Sequence, residues 1–157
     1  MTRNESRSVE LQASNGTRFL IEEDDLHIVE PYNWHIDKSG YIYRHRWIDG
    51  KDKPLRLHRV IVSAPQGMDV DHINKVRHDN RRSNLRVCTR QQNIFNSKKR
   101  SNNTTGYKGV TLKSGKYRAR IRIGGREIVL GHFETAKEAG DAYDKAAIQH
   151  HKEFAYL

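Results

Sequence analysis

Four side chains in the middle of the chain, those of Asp71, His72, Asn84 and Asn93, suit the hydrolysis of a phosphodiester bond. That reaction needs an activated water molecule, a cation that neutralises developing charge, and help for the leaving oxygen. The carboxylate of Asp71 and the amide oxygen of Asn93 are hard ligands suited to Mg²⁺ or Mn²⁺. His72 points to the other side of a strand, so it can stay off the metal and act as general base. Taken alone, the Asp-His dipeptide is explained better by a surface or capping histidine.

Three elements must position these side chains. The run DVDHIN predicts a short strand that ends at Asp71 and His72. The polar residues 75–80 predict a loop. The run RRSNLRVCTRQQNIFN then begins a helical pattern, in which Leu85, Val87 and Ile94 are candidate core residues.

The strings LHRVI, VDHIN and NRRSNLRVCTRQQN occur in the same order and spacing as in a known nuclease family. Together they make this stretch of about 40 residues resemble the HNH endonucleases, specifically the phage and intron-encoded branch. The resemblance implies a ββα-metal module that holds Mg²⁺ or Mn²⁺. It also implies roles for five residues, namely Asp71 and Asn93 as metal ligands, His72 as general base, Asn84 as the amide that fixes the loop, and His58 as support for the site.

The sequence departs from that family directly after the Asp-His pair. Asn74-Lys75 stands where Asp-Gly is usual. Because glycine tolerates backbone angles that lysine does not, the shape of this turn is open to question. Asn74 can replace the local hydrogen bonding of the aspartate.

The first 54 residues predict a strand-rich leader. RFLI predicts a strand, and the acidic run EEDDLHIVE predicts a helix that stops before Pro31. Asp49-Gly50 separates the strand-like runs GYIYRHRWI and PLRLHRVIV, which predicts a hairpin. The aromatic side chains of this region are expected to cover the small sheet rather than to stack on bases; they are Trp34, Tyr41, Tyr43 and Trp47.

Charge is distributed unevenly along the 157 residues. Residues 1–57 contain 9 Lys and Arg against 10 Asp and Glu, whereas residues 58–157 contain 20 against 9. This asymmetry favours a polyanionic partner such as nucleic acid for the later part, the alternative being a merely soluble basic protein. The near-neutral leader argues against a major phosphate-binding role there.

Cysteine content and hydropathy narrow the class of protein. The single cysteine, Cys88, excludes an internal disulfide and a Cys-based zinc site. No apolar run approaches the roughly 20 residues needed to cross a bilayer, and the first residues lack an apolar signal core. We therefore expect an intracellular protein, in the cytoplasm of a bacterial or phage-infected cell, with no membrane partner.

The chain after residue 97 changes character. Residues 98–105 predict a linker, in which Lys98, Lys99 and Arg100 are candidate phosphate contacts. Three strand-like runs follow, over residues 107–113, 116–123 and 126–133, with Ser114-Gly115 and Gly124-Gly125 as turns. In the second run one face is apolar and the other carries three arginines, Arg118, Arg120 and Arg122, whose mutual repulsion a phosphate backbone would relieve.

A helix is predicted after the third strand. Thr135 is a good N-cap, and Glu138 completes a capping box. Its predicted inner stripe consists of Ala139, Tyr143, Ala146, Ala147 and His150.

The pieces YKGV, GKYRARI and LGHFETAKEAGDAYDKAA make residues 106–157 resemble the Apetala-two (ethylene-response-factor) DNA-binding domain. In that family a three-stranded sheet enters the major groove. Val129 and Glu127 stand where that family often has Trp and Arg, so the base preference should differ. The resemblance implies DNA contacts by Lys108, Thr111, Lys113, Arg120, Arg122, Glu127 and Val129.

These patterns predict an α+β protein with four parts: a leader (1–54), an HNH ββα-metal module (55–97), a basic linker (98–105), and a three-stranded antiparallel sheet packed on one helix (106–157). The expected function is metal-dependent, homing-type cleavage of double-stranded DNA by a monomer or weak homodimer, with one strand nicked per active site. The main alternative is a sequence-preferring DNA-binding regulator whose nuclease module is inactive. An RNA-binding or RNA-cleaving protein is a third alternative.

Overall fold

The computed structural model describes residues 6–97, 99 and 101–155. The chain has a mixed α/β architecture with several small sheets, and it divides after Arg90 into two units. Both units are built from short antiparallel strand pairs, as the frequent turn residues of the sequence predict.

The first unit, residues 1–90, contains three small antiparallel sheets joined by short helices and loops. Its strands are β1 (Ser8–Gln12), β2 (Arg18–Glu22), β3 (His35–Ile36), β4 (Ile42–Ile48), β5 (Lys51–Arg56), β6 (Asp69–His72) and β7 (Leu85–Cys88). Its helical segments are 3-10 turns at Glu23–Asp25 and Arg82–Asn84, α1 (Leu26–Val29) and α2 (Leu57–Ile61). Strand β1 pairs with β2, and β6 pairs with β7. The third sheet has the order β3-β4-β5, with β4 in the middle.

One hydrophobic core serves the whole first unit. Phe19 and Ile21 of β2 and Ile42 of β4 are almost completely buried in it together with Leu57 and Ile61 of α2. The predicted division after residue 54 therefore does not coincide with a break in packing. The unit boundary lies after Arg90 instead.

Two predicted elements of the first unit have a different structure. The run PLRLHRVIV is a strand only to Arg56 and a helix from Leu57, because Leu57 and Ile61, four residues apart, both enter the core on one helical face. The helix predicted from the RRSNLRV run is instead β7, which pairs with β6. Of the candidate core residues there, Leu85 is buried, whereas Val87 is exposed on β7.

The predicted role of the aromatic residues also needs correction. Trp34 is buried and donates its indole N–H to the carbonyl of Val29 at 2.9 Å. Trp47, in contrast, is 74% exposed, so it does not cover the sheet. The hairpin predicted around Asp49-Gly50 is confirmed as the β4–β5 pair.

The second unit, residues 91–157, contains α3 (Arg90–Phe95, which begins at the division), β8 (Val110–Lys113), β9 (Lys116–Ile123), β10 (Arg126–Phe133) and α4 (Ala136–His151). Its sheet has the order β10-β9-β8, and α4 packs on it. The bounds of the second and third predicted strands are confirmed, while residues 107–109 turn before β8 begins. Ile94 on α3, a predicted core residue, is 56% exposed.

Helix α4 begins with the predicted capping box. The Thr135 hydroxyl accepts the backbone N–H of Glu138, and the Glu138 carboxylate accepts the backbone N–H of Thr135. At its other end the predicted stripe is wrong by one residue, since His150 is exposed and His151 is buried. The His151 ring stacks on Phe95 of α3 with centroids 3.6 Å apart, which fixes it on the inner side.

Within the part of the chain that the structure describes, no helix is long and apolar enough to cross a membrane.

Candidate active site

Asp71 and His72 lie at the end of β6, as predicted, and both are buried. In the antiparallel register Asp71 is opposite Arg86 and His72 is opposite Leu85 of β7. Because neighbouring residues of a strand point to opposite faces, the carboxylate and the imidazole have different surroundings.

The carboxylate of Asp71 forms an ion pair with Arg86. Nε of Arg86 donates to Oδ2 of Asp71 at 2.8 Å, and Nη2 lies 2.7 Å from the same oxygen. Both side chains are largely shielded from solvent, so the guanidinium provides the charge compensation that a buried carboxylate requires. The sequence pattern did not indicate this pair.

The imidazole of His72 lies in an aromatic and amide environment. Its ring centroid is 5.2 Å from that of His58 and 6.0 Å from that of Tyr41. Burial lowers the pKa of His72, although the neighbouring Asn80 side chain and the charge of Asp71 act in the opposite direction. Because its pKa lies below the usual value, the ring is neutral at neutral pH and can accept a proton.

His58 is the second buried imidazole of the site. Burial, followed by the nearby charge of His72, lowers its pKa to about 3. Its ring packs against Tyr41 with centroids 5.3 Å apart and approaches the His72 ring nearly at right angles. This neutral ring is a weaker base than His72 and forms part of the wall of the site, in keeping with the supporting role that the resemblance implies.

Asn84 bridges the two ends of the loop that follows His72. Its Nδ2 donates to the carbonyl of Asp79 at 2.8 Å, and its Oδ1 accepts the backbone N–H of Asn74 at 2.9 Å. Asp79, only 2% exposed, accepts from Asn74 and forms an ion pair with Arg81 at 2.6 Å. A buried amide with these bonds suits the loop-fixing role expected of Asn84.

The turn at Asn74-Lys75 keeps the geometry that the departure had put in question. Lys75 has a φ of +66°, the left-handed conformation that glycine adopts more easily. Oδ1 of Asn74 accepts the backbone N–H of Val76 at 2.8 Å, an Asx turn. The backbone N–H of Lys75 also donates to the carbonyl of His72 at 3.0 Å.

The leader supports the same loop, which the sequence did not indicate. The backbone N–H of Leu20 donates to the carbonyl of His78 at 2.9 Å, and that of Asn80 donates to the carbonyl of Leu20 at 2.7 Å. Arg82 binds the buried carboxylate of Asp25 through Nη2 at 2.7 Å. Long-range contacts of this kind leave no local sequence signal.

Two further arginines lie beside the histidines. The guanidinium of Arg56 is 4.2 Å from the centroid of the Tyr41 ring, and that of Arg77 is 4.7 Å from it. Their charges are close enough to lower the pKa values of His58 and His72, respectively, as smaller contributions than burial. An anion next to His72 would meet positive charge here.

Asn93, the second predicted metal ligand, lies half-buried on α3 in the second unit. Among the described residues, no group of three or more His, Cys, Asp and Glu side chains could hold a metal ion. The two predicted ligands, the carboxylate of Asp71 and the amide of Asn93, include only one side chain of these four types, so the absence of such a group does not bear on them. The oxygen atoms of these two side chains have the donor chemistry that Mg²⁺ or Mn²⁺ prefers.

The predicted DNA-contacting residues of the second unit fall into two groups. By the β8–β9–β10 register, one face of the sheet carries Thr111, Lys113, Arg118, Arg120, Arg122, Glu127 and Val129. Nη1 of Arg120 donates to Glu127 at 3.0 Å, which moderates the charge of this face.

The remaining predicted contacts lie outside that face. Nζ of Lys108 donates to the carbonyls of Phe95 and Ser97 at 2.6 and 2.8 Å. Nζ of Lys99 donates to the carbonyl of Gly106 at 3.0 Å, and this lysine is exposed. Lys98 and Arg100 lie outside the described residues.

Comparison with known proteins places these observations in a family context. The family model for HNH endonucleases matches residues 56–94. An uncharacterized HNH endonuclease of Acanthamoeba polyphaga mimivirus is 32% identical over 152 residues, which cover 92% of this chain and 76% of that protein. No solved structure matches the chain.

Proposed function

The chain belongs to the HNH endonuclease family and is a nuclease, and we propose that it is a divalent-metal-dependent, homing-type DNA endonuclease that nicks one strand per active site. The observation that carries this proposal is the buried, neutral His72 beside a buried carboxylate at the end of β6. A neutral imidazole beside a hard anionic ligand can accept a proton from water next to a bound cation.

Asp71 would bind the metal ion in the first unit, and Asn93, on α3 of the second unit, stays the second ligand that the sequence resemblance implies. Both supply hard oxygen atoms, and two protein ligands leave positions for water and phosphate oxygens. When bound, a divalent cation polarises the scissile phosphate and stabilises the leaving 3′ oxygen. Arg86 pairs with the carboxylate of Asp71 and orients it.

His72 would take the proton of the attacking water. The Asn80 side chain lies beside its ring, and Asn84 fixes the loop on which Asn80 lies. The proton passes to an imidazole nitrogen, and the oxygen of the water forms the new bond to phosphorus as the bond to the leaving oxygen breaks. Burial favours the neutral ring before the reaction and therefore keeps it ready to accept.

The second unit would supply much of the affinity for DNA. The face with Arg118, Arg120 and Arg122 presents positive charge along one strand, and phosphates neutralise such a row. This arrangement fits the expected likeness to an Apetala-two domain, which uses a sheet in the major groove. Glu127 and Val129 on the neighbouring strand would set a different base preference.

The alternative of an inactive module was favoured by Asn74-Lys75 and by the presence of the C-terminal reader domain. The turn there has its left-handed residue and its Asx hydrogen bond, so its geometry supports an intact loop.

Since each chain carries one His72, one binding event would give one cut, and cutting both strands would need a second copy of the chain or a second binding event.

The test is cleavage of supercoiled plasmid and of a library of duplexes, followed by sequencing of the nicked ends. We expect the wild-type protein to convert supercoiled to nicked plasmid with Mg²⁺ or Mn²⁺ and to be inactive with EDTA. His72→Ala should lower the rate by at least about a hundredfold, the usual contribution of a general base. Equal nicking by the two proteins would refute the assigned chemistry.

His78→Ala is the matched control for that experiment. His78 lies on the same loop, but its side chain is exposed. It should therefore retain activity. Asp71→Asn should lose both cleavage and the thermal stabilisation that Mn²⁺ gives the wild-type protein, a readout of binding that does not depend on turnover.

A further inference from the structure

We propose that one face of the β4–β5 hairpin is a second DNA-contact surface, in which Trp47 packs against bases about six base pairs from the scissile phosphate. This hairpin face is defined by Tyr43, His45, Trp47, Asp52 and Arg56. The inference rests on the proposed function, because it concerns how the same active site holds its DNA.

The alternation of β4 places these side chains on one side of the sheet. Tyr43, His45 and Trp47 are separated by two residues each, and in the register Tyr43 is opposite Arg56 and Trp47 is opposite Asp52. The intervening Ile42 points to the other side and is completely buried in the core. The inner end of that side is therefore anchored in the core, whereas Arg46, Lys51 and Lys53 farther along it are exposed. The hairpin face points away from the core.

The inner end of the hairpin face adjoins the active site. Tyr41, just before β4, has its ring centroid 5.3 Å from that of His58 and 6.0 Å from that of His72. The guanidiniums of Arg56 and Arg77 lie over this ring at 4.2 and 4.7 Å. Two guanidiniums held beside the proposed general base are well placed to bind phosphates of the strand being cut.

The outer end of the hairpin face is formed by Trp47, whose side chain is exposed to solvent. Trp47 is 74% exposed, whereas Trp34 of the same sheet region is 4% exposed. Between Trp47 and the active site, the rings of Tyr43 and His45 are in contact, with centroids 5.4 Å apart. Tryptophan is enriched at the centres of binding surfaces, and stacking of an aromatic side chain on a base that the duplex has unstacked contributes about 1–3 kcal/mol.

The net charge of the whole hairpin suits the DNA substrate of the adjoining active site. Arg56 lies on the hairpin face, whereas Arg44, Arg46, Lys51 and Lys53 lie on the opposite side of the same ribbon. Residues 42–56 contain five Lys and Arg against two Asp and Glu, whereas residues 1–41 contain four against eight. The net charge of the leader is therefore near zero because the negative charge of residues 1–41 and the positive charge of the hairpin nearly cancel. A phosphate-binding role for the hairpin would depend on this local charge and not on the total charge of the leader.

The reach of the hairpin sets where DNA would meet Trp47. Trp47 is six residues beyond Tyr41. At about 3.3 Å per residue this spans about 20 Å, which is roughly six base pairs at about 3.4 Å each. The arginines at the inner end would hold phosphates near the cut, and Trp47 would contact bases on one side of it.

The test uses Trp47 as an intrinsic probe in the full-length chain. With EDTA present to prevent cutting, we expect duplex DNA to shield the exposed tryptophan emission from acrylamide, while the buried Trp34 contribution stays unchanged. Trp47→Phe provides the Trp34 signal alone. Trp47→Ala should weaken DNA binding, measured by anisotropy of labelled duplex, about 5- to 100-fold, and Trp47→Phe should recover most of that loss.

The matched control is Ile48→Ala, which changes the next residue on the opposite side of β4 and should leave DNA affinity unchanged. If labelled duplex binds and is nicked while Trp47 stays fully accessible, the inference is wrong and the proposed function stands. If no duplex binds or is cut, both fail. Shielding that depends on protein concentration and not on DNA would assign the hairpin face to a second copy of the chain and overturn the inference.

Discussion

At the scale of single residues, the Asp71–Arg86 pair decides the electrostatics of the active site. A carboxylate with 7% of its side chain exposed would be costly without a partner, and Arg86 provides one through two contacts to Oδ2. A bound cation would supply further positive charge to the same group. Arg86 is therefore a positioning residue, which orients Asp71 and balances its charge whether or not a metal ion is present.

The first prediction concerns the removal of this arginine. Arg86→Gln should lower the free energy of unfolding by about 3 kcal/mol in EDTA, because it leaves Asp71 buried and uncompensated. Mg²⁺ should restore part of this loss. The measurement is urea unfolding with EDTA or with Mg²⁺, and the double variant with Asp71→Asn is the control, since it should be more stable than Arg86→Gln and insensitive to Mg²⁺. Unchanged stability of Arg86→Gln would show that the pair is effectively solvated.

His58 gives a prediction about pH. Its pKa is lowered from 6.5 to about 3 in the folded protein, mainly by burial. Protonation therefore favours the unfolded chain, so the stability from His58 is complete above about pH 6.5 and falls as the pH decreases toward 3. At pH 5 the loss should be about 2 kcal/mol.

The measurement for His58 is the dependence of stability on pH rather than stability itself. Urea unfolding of the wild type and of His58→Gln between pH 7.5 and pH 5 should show a shallower decrease for the variant, whatever its absolute stability. Because His72 and His151 also have lowered pKa values through burial, some acid sensitivity should remain. Parallel curves for the two proteins would contradict the assignment.

At the scale of elements, the sequence predicted best where a pattern is local. The capping box of Thr135 and Glu138, the strand ending at His72, and the two strands β9 and β10 depend on neighbouring residues, and all are confirmed. The position of Asp71 and His72 at the end of a strand was predictable for the same reason, and the roles of the site residues stay predictions. The surroundings of the site were not predictable, because Arg86, Asn80 and the leader strand β2 meet it only through long-range pairing.

The wrong elements share one cause. LHRVI fits a strand by its β-branched residues but is a helix, because α2 places Leu57 and Ile61 in a core formed by distant segments. Leu85–Cys88 fits a helix by its position before α3 but is a strand, because β6 is available to pair with it. Tertiary partners override local propensity in both cases.

The turn after the Asp-His pair gives a prediction at this scale. Lys75 has a φ of +66°, which costs a residue with a Cβ about 1 kcal/mol relative to glycine. Lys75→Gly should therefore raise the free energy of unfolding by about 0.5–1 kcal/mol, after allowance for the greater freedom of glycine in the unfolded chain. Lys75→Ala is the control, since it removes the ammonium and keeps the Cβ, and it should give no gain. A loss of stability in the glycine variant would mean that the hydrogen bond from Nζ of Lys75 to the carbonyl of Ile73 stabilises the fold by more than the left-handed backbone conformation of Lys75 costs.

At the scale of the whole molecule, the division after Arg90 places Asp71 and His72 in the first unit and most of the net positive charge in the second unit. Residues 1–90 contain 16 Lys and Arg against 13 Asp and Glu, and residues 91–157 contain 13 against 6. Total charge correctly singled out the later part as basic. It could not reveal the hairpin face, because charges of opposite sign within the leader cancel in the sum, nor the shared core that joins the leader to the segment with Asp71.

The last prediction concerns the salt dependence of DNA binding. If the arginine face of β9 contacts phosphates, then replacing Arg118, Arg120 and Arg122 together by glutamine should lower the slope of log affinity against log salt concentration by about 2 to 3, since each phosphate contact contributes about 0.9. Arg120 should contribute least, because it already pairs with Glu127. The measurement is anisotropy of labelled duplex at several salt concentrations.

The control removes the same charge from another surface of the second unit. Lys137, Lys145 and Lys152 are exposed on or beside α4, and their replacement by glutamine lowers the net charge equally. This control should leave the slope nearly unchanged, because diffuse attraction is screened within about 10 Å in moderate salt whereas a phosphate contact releases a counterion. Equal reductions in the two variants would mean that net charge, and not the arginine face, attracts the DNA. The sheet of the second unit would then have no assigned place in recognition, and specificity would have to come from the first unit.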